Sequence, residues 1–145
     1  RQLKNFKGGI RGADPKDTYG MQMRPMALTL ANDQAVSDMA AFLSSMPVSK
    51  SSESTVKGDA TAGKASYMIC KTCHGPKGGG NRALNSPKLT GLQDWYIVRQ
   101  LKNFKAGIRG TKSGDLFGMQ MRPMAMTLAN DEAINNVAAY IATFK

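Results

Sequence analysis

One 46-residue stretch of this chain occurs twice. Arg1-Gln2-Leu3-Lys4-Asn5-Phe6-Lys7 returns as Arg99-Gln100-Leu101-Lys102-Asn103-Phe104-Lys105, and Gly20-Met21-Gln22-Met23-Arg24-Pro25-Met26-Ala27 returns as Gly118-Met119-Gln120-Met121-Arg122-Pro123-Met124-Ala125. Aligned without gaps at an offset of 98, residues 1–46 match residues 99–144 at 28 of 46 positions. That identity reflects duplication, so whatever fold the second copy adopts must be open to the first. The two copies differ in what precedes them. The second follows a segment holding both cysteines and the one histidine of the chain. Shifting that segment back by 98 places its counterpart before residue 1. Residues 1–46 are therefore expected to be the C-terminal part of an upstream repeat. The alternative is a degenerate copy that never completed a site, but Met23 and its flanks remain nearly identical to the second copy. No initiator Met and no signal-peptide pattern opens the chain. Residues 47–57 are polar and Ser-rich and read as a linker. Residues 58–145 form one complete small domain.

The cysteines and the histidine fall in five consecutive positions, Cys70-Lys71-Thr72-Cys73-His74. C-x-x-C-H is the attachment signature of a c-type haem. Two thiols at this spacing can each form a thioether to one porphyrin vinyl group, and the histidine that follows can donate a ring nitrogen to the iron. Other readings fit less well. Zinc wants about four Cys/His ligands, and only three adjacent ones exist. A thioredoxin-like dithiol wants a βαβ context, and no strand pattern surrounds it. A disulfide closing so short a loop would constrain little. With His74 used, a second axial histidine is impossible. The sixth ligand must be Met, Lys, Asn, water or nothing. Ten methionines are present, with Met119, Met121, Met124 and Met126 in one segment. A thioether opposite imidazole raises the reduction potential and suits electron transfer.

Three helices are readable in residues 58–145, giving an all-α domain. Asp59 can N-cap a helix running into the cysteines. Asp94 can cap a helix from Trp95 to Ala106, with Gly107 just past its end. Ile97, Val98, Leu101 and Phe104 recur there at helical spacing. Asn130 can start a last helix with Asp131 and Glu132 in its first turn and Ile134, Val137, Ala138 and Ile141 as a buried stripe. Gly63 facing Tyr140 would let the first and last helices cross closely. A Gly/Pro/Asn-rich loop, 75–91, joins the first two helices, and a methionine loop joins the second to the third. So short a domain has little core of its own, and a covalent haem would add apolar surface. Nothing reaches membrane-spanning length.

This order of elements resembles the class I cytochrome c fold, and the duplication resembles the tandem two-haem cytochromes c of bacterial periplasms, the cytochrome c-four type. The likeness covers residues 58–145 in full and 1–46 as a partial domain. It is carried by Cys70 to Gly75, by Ser86-Pro87-Lys88-Leu89-Thr90-Gly91, by the helix from Tyr96 to Gly107, and by Met121-x-x-Met124 before Leu128 and Asn130-Asp131-Glu132. The resemblance implies haem c on Cys70 and Cys73 and iron held by His74 and Met121. It also implies the Pro87 carbonyl as acceptor of the second His74 N–H, a contact that fixes the ring. Met124 is the competitor for the axial place. The same rule gives Met23 in the first copy, for a second haem c if its missing half-domain is present. One departure is Ala129, where the family often has Ser. Met119, Met124 and Met126 otherwise read as core or pocket-wall residues, and Tyr67, Trp95, Tyr96 and Tyr140 as packing.

The formal net charge is +10, from 20 Lys and Arg against 10 Asp and Glu. Residues 58–145 carry twelve of those bases and five of those acids. Lys71, Lys77, Arg82, Lys88, Lys102, Lys105, Arg109 and Arg122 are scattered, which fits either a solvated surface or steering toward acidic redox partners. No nucleic-acid motif is present. The expected function is a periplasmic carrier of single electrons that is not itself an enzyme. Its expected partners are redox proteins with acidic docking surfaces, including a membrane-bound oxidase or dehydrogenase. The alternatives are a cytochrome subunit of a larger redox complex and, from another class, a copper protein using the repeated Met-x-Met-x-x-Met.

Overall fold

The computed structural model describes residues 1–47 and 54–144. Residues 48–53, inside the segment expected to be a linker, lie outside that description. Seven α-helices are present among the described residues: α1 Gln2–Lys7, α2 Thr18–Leu28, α3 Asp33–Ser45, α4 Ala60–His74, α5 Asp94–Lys105, α6 Leu116–Met126 and α7 Asp131–Ala142. The described residues contain no strand, only an isolated bridge between Asn81 and Ser86.

Side-chain caps start α2 and α3 in the first copy and α6 and α7 in the second, with the same residue type at each equivalent place. Asn130 accepts from the Ala133 N–H at 2.9 Å, and Asn32 from Ala35 at 2.9 Å. Asp115 accepts from Gly118 at 3.2 Å, and Asp17 from Gly20 at 3.1 Å. Each bond satisfies a backbone donor that the first helical turn leaves open. The methionine segment, expected as a loop, is helix α6 instead. Met, Gln, Arg and Ala are strong helix formers, and the Asp115 cap gives them a start. Pro123 lies inside α6, as Pro25 lies inside α2. Each proline deletes one backbone donor, yet the helix carries on three residues beyond it.

Asp94, expected as the cap of α5, takes a different place. It is the first residue of α5 rather than its cap. Its buried carboxylate accepts from the Trp95 N–H at 2.7 Å and reaches back to the chain before α4. There it accepts from Ser54 Oγ, Thr55 N, Thr55 Oγ1 and Val56 N at 2.7–2.9 Å. Burial pushes its pKa up, but the bonds from Thr55, Val56, Ser54 and Trp95 outweigh that and hold it at about 2.

α4 packs on α7, and α5 packs on both α6 and α7. Tyr67, Ile97, Leu101, Phe104, Leu128, Ile134, Val137, Ala138 and Ile141 form the buried core of this unit. The close α4–α7 crossing depends on Gly63, where an added Cβ would sit 1.9 Å from the Asn136 carbonyl oxygen. Tyr67 stacks edge-on to Tyr140 and Phe144, with centroids 5.5 and 5.0 Å away.

The two copies meet through reciprocal contacts. Arg1 lies over the Phe117 ring at 4.7 Å, and its repeat equivalent Arg99 lies over Tyr19, the equivalent of Phe117, at 3.4 Å. Such exchange of equivalent partners is the mark of a local two-fold relation. Among the described residues no counterpart of α4 packs on the first copy. On α3, Phe42 is 61% and Leu43 51% exposed, whereas on α7 the equivalent Tyr140 and Ile141 are half-buried and buried.

Candidate functional site

α4 carries the cysteines and the histidine on its last turns and stops at Gly75, whose φ of 81° is left-handed. That conformation suits glycine because it has no Cβ to clash. The chain then turns back so that Pro87 meets the end of α4. His74 Nδ1 lies 2.8 Å from the Pro87 carbonyl oxygen. A carbonyl can only accept, so Nδ1 carries the proton and Nε2 is left with its lone pair. Burial lowers the His74 pKa and the Pro87 bond partly opposes it, a net shift that favours the neutral ring. Tyr67 steadies the same corner by donating its hydroxyl to the Gly75 carbonyl at 2.7 Å, and burial pushes its phenol up to about 12.

His74 and Pro87 border a cavity of about 410 Å³. Cys70, Cys73, His74 and Pro87 line one part of its wall, and Met121 and Met124 from α6 line another. Ile97, Leu101 and Phe104 of α5 and Val137 and Ile141 of α7 supply apolar wall. The cysteines are not joined to each other. Burial pushes the Cys70 thiol up to about 11, so it is protonated at neutral pH.

The structure thus brings Cys70, Cys73, His74, Pro87 and Met121 to one cavity. It brings Met124 there as well, while Met119 and Met126 are exposed. Met23 is half-buried on α2 and does not line this cavity. Two sulfurs beside a neutral imidazole, with thioethers and a greasy wall around the same space, fit a flat apolar porphyrin and its iron. The lining also contains Arg1, Lys88 and Arg109 but no Asp or Glu, which suits a ligand bearing carboxylates.

A search for family signatures matches Cytochrome c over residues 60–145. The chain belongs to the cytochrome c family. It is 30% identical over 150 residues to cytochrome c4 of Azotobacter vinelandii, covering 97% of this chain and 69% of that protein. The solved cytochrome c4 of Acidithiobacillus ferrooxidans superposes with a TM-score of 0.76 at 23% identity, over 98% of this chain and 80% of that one. A solved thiosulfate dehydrogenase (TsdBA) from Marichromatium purpuratum superposes with a TM-score of 0.74 at 26% identity, over 99% of this chain and 30% of that one. The chain is a c-type cytochrome of class I fold, an electron carrier whose cofactor is covalent haem c.

Some of the basic residues that look scattered along the sequence belong to this cytochrome's site. Arg109 is not a solvated surface residue: it lines the cavity, stacks over Phe104 at 4.2 Å and donates to Gln100 Oε1 at 2.6 Å. Its repeat equivalent Arg11 stacks over Phe6 and donates to Gln2 in the same way. The available signal was the preservation of Gln2/Gln100 and Arg11/Arg109 across the duplication. Lys102 and Lys105 are also engaged, with Asp131 and with the Leu128 and Ala129 carbonyls.

Proposed function

We propose that this cytochrome holds its haem by thioethers from Cys70 and Cys73, with His74 and Met121 as the residues for the two faces of the iron. Haem supplies the one-electron ferric/ferrous couple. The chain's own work is positional. The Pro87 carbonyl accepts the hydrogen bond from Nδ1–H, which leaves Nε2 to face the iron and fixes the ring. The apolar wall from α5 and α7 keeps water away, which favours the ferrous state. The observation that carries this reading is the His74–Pro87 bond beside a cavity that Met121 also lines. Met124 is a pocket-wall residue in this reading. Intact mass counts attached haems, and the ferric visible spectrum reports sulfur ligation. Met121→Ala should abolish the sulfur–iron band and lower the potential. Loss of the band in Met124→Ala instead would reassign the ligand.

The reading extends to the first repeat. Residues 1–46 are the back part of a second such unit, 47–57 the linker and 58–145 the complete domain. Met23 is the corresponding ligand for a second haem c once a helix like α4 covers α3. The exposed Phe42 and Leu43 support this, because their equivalents Tyr140 and Ile141 belong to the helix that covers α4. A preparation with the upstream half present should weigh two haems more than its polypeptide.

The place of work is the periplasm, where thioether attachment and exported carriers occur together. The partners are redox proteins with acidic docking faces. Lys71, Lys77, Arg82 and Lys88 are exposed around the haem-bearing segment, and no helix among the described residues is long and apolar enough to cross a membrane. A role as the cytochrome subunit of a redox complex is a second reading, favoured by the superposition on thiosulfate dehydrogenase over nearly the whole of this chain. A partner that stays bound through purification would select it.

A further inference from the structure

Gln100 Oε1 accepts two guanidinium groups, one from each repeat: Arg109 Nη1 at 2.6 Å and Arg11 Nη2 at 3.2 Å. Arg11 also donates from Nη1 to Gln2 at 2.6 Å. A single neutral oxygen therefore lies between two like charges. Arg11 is only 6% exposed, and the Nε groups of both arginines are buried without a hydrogen-bond partner. No carboxylate forms an ion pair with either among the described residues, where the ion pairs are Lys4–Asp33 and Lys102–Asp131. Asp17 and Asp115 are near enough to act on Arg109 through space, as is Tyr96. Both carboxylates accept backbone N–H groups, of Gly12 and Gly20 and of Gly110 and Gly118. Desolvation, and then repulsion by Arg11, lower the Arg109 pKa to about 10.

Burying a cation is costly unless an anion compensates it. Here two cations are gathered with unused donors, and one of them lines a cavity that has no acid in its wall. Haem carries two carboxylates.

We infer that Arg11, a residue of the first repeat, is a positioning residue for the haem of the second. Through the shared Gln100 it aims Arg109 at the haem carboxylates and adds its own charge to the field there. This rests on the haem reading above. A cation near the iron favours the ferrous over the ferric state, because the ferric state carries one more positive charge. The first repeat thereby raises the potential of the second.

The test is a spectroscopic redox titration of the full haem-loaded chain and its Arg11→Gln, Arg11→Met, Arg11→Lys and Arg109→Gln variants. Arg11→Gln and Arg11→Met should shift the potential down, Arg109→Gln should shift it further down, and Arg11→Lys, which keeps the charge, should shift it least. An unchanged or raised potential in Arg11→Gln and Arg11→Met overturns the inference. So does an Arg11→Lys shift as large as that of Arg11→Gln, which would mark a packing role. Failure of both neutral variants to fold would also overturn it, since the side chain would then be required by the fold itself. Haem content and the ferric spectrum of the unaltered chain test the underlying reading separately.

Discussion

Gly63→Ala should loosen the seam that places the haem-bearing helix. A Cβ at residue 63 would lie 1.9 Å from the Asn136 carbonyl oxygen, 2.4 Å from its carbon and 3.0 Å from Tyr140 Cβ. The first two are backbone atoms, so no side-chain rotation relieves the overlap. Restoring an ordinary 3.4 Å contact to the oxygen requires α7 to recede by 3.4 − 1.9 = 1.5 Å along that line. A gap of even 0.5–1 Å forfeits roughly a quarter to a half of each van der Waals contact across it. Val137 and Ala138, which follow Asn136 on α7, are both 0% exposed in the core that this recession would disturb. Overpacking of this kind costs roughly 1–3 kcal/mol or more, and a backbone obstacle places it at the upper end. Alanine in a helix interior offsets about 1 kcal/mol of that. The net expectation is a loss of roughly 2 kcal/mol, or a fall in Tm of about 5–15 °C. Denaturant unfolding of the haem-loaded chain, followed by far-UV circular dichroism, measures it. Gly79→Ala is the control, because nothing lies within 4 Å of a Cβ there. Val137 and Ile141 line the cavity, so the ferric spectrum should also change in Gly63→Ala. A Gly63→Ala chain as stable as its parent, or more so, would refute the close-crossing argument.

The remaining predictions concern single side chains. Asp94→Asn should cost about 2 kcal/mol at neutral pH, from a carboxylate pKa of about 2 against an ordinary 3.8. Because the folded value is depressed, that stability is complete above about pH 4 and is lost as pH falls through about 2; an Asp94→Asn deficit that does not shrink on acidification would count against it. Tyr67→Phe leaves the Gly75 carbonyl without its hydroxyl partner and should cost about 1 kcal/mol in chemical denaturation. Asn130→Ala removes the α7 cap and should also cost about 1 kcal/mol. Lys102→Ala should change stability by under about 1 kcal/mol, since its ion pair with Asp131 is exposed.

What was legible in the sequence was local. The caps at Asp59 and Asn130, the apolar stripes of α5 and α7 and the Cys70–His74 run each depend on residues within a few positions of one another, so a short window contains the physics. Where the fold departs from the local pattern, a local propensity is outvoted or redirected. The methionine segment reads as a loop between two helices, but a good cap and strong helix formers carry α6 through it and past Pro123. Asp94 looked like a cap, yet its oxygens serve Ser54, Thr55 and Val56, some 40 positions away. Arg109 looked like one charge among many, because nothing near it in sequence says that Gln100 and Arg11 share its site.

The two copies separate the contributions. Within the helices α3 and α7 share only Asp33/Asp131, Ala35/Ala133, Ala40/Ala138 and Ala41/Ala139, yet both form with the same asparagine cap and, on the exposed side, the same lysine–aspartate pair. Those features follow from neighbours along the chain, and the sequence by itself determined them. Whether the apolar face is then buried was decided only in three dimensions. α7 finds α4 and encloses a cavity, whereas α3 has no such helix among the described residues and leaves Phe42 and Leu43 in water. Hydrogen bonds of a helix cap are local, but burial needs a second surface, and only tertiary structure supplies one.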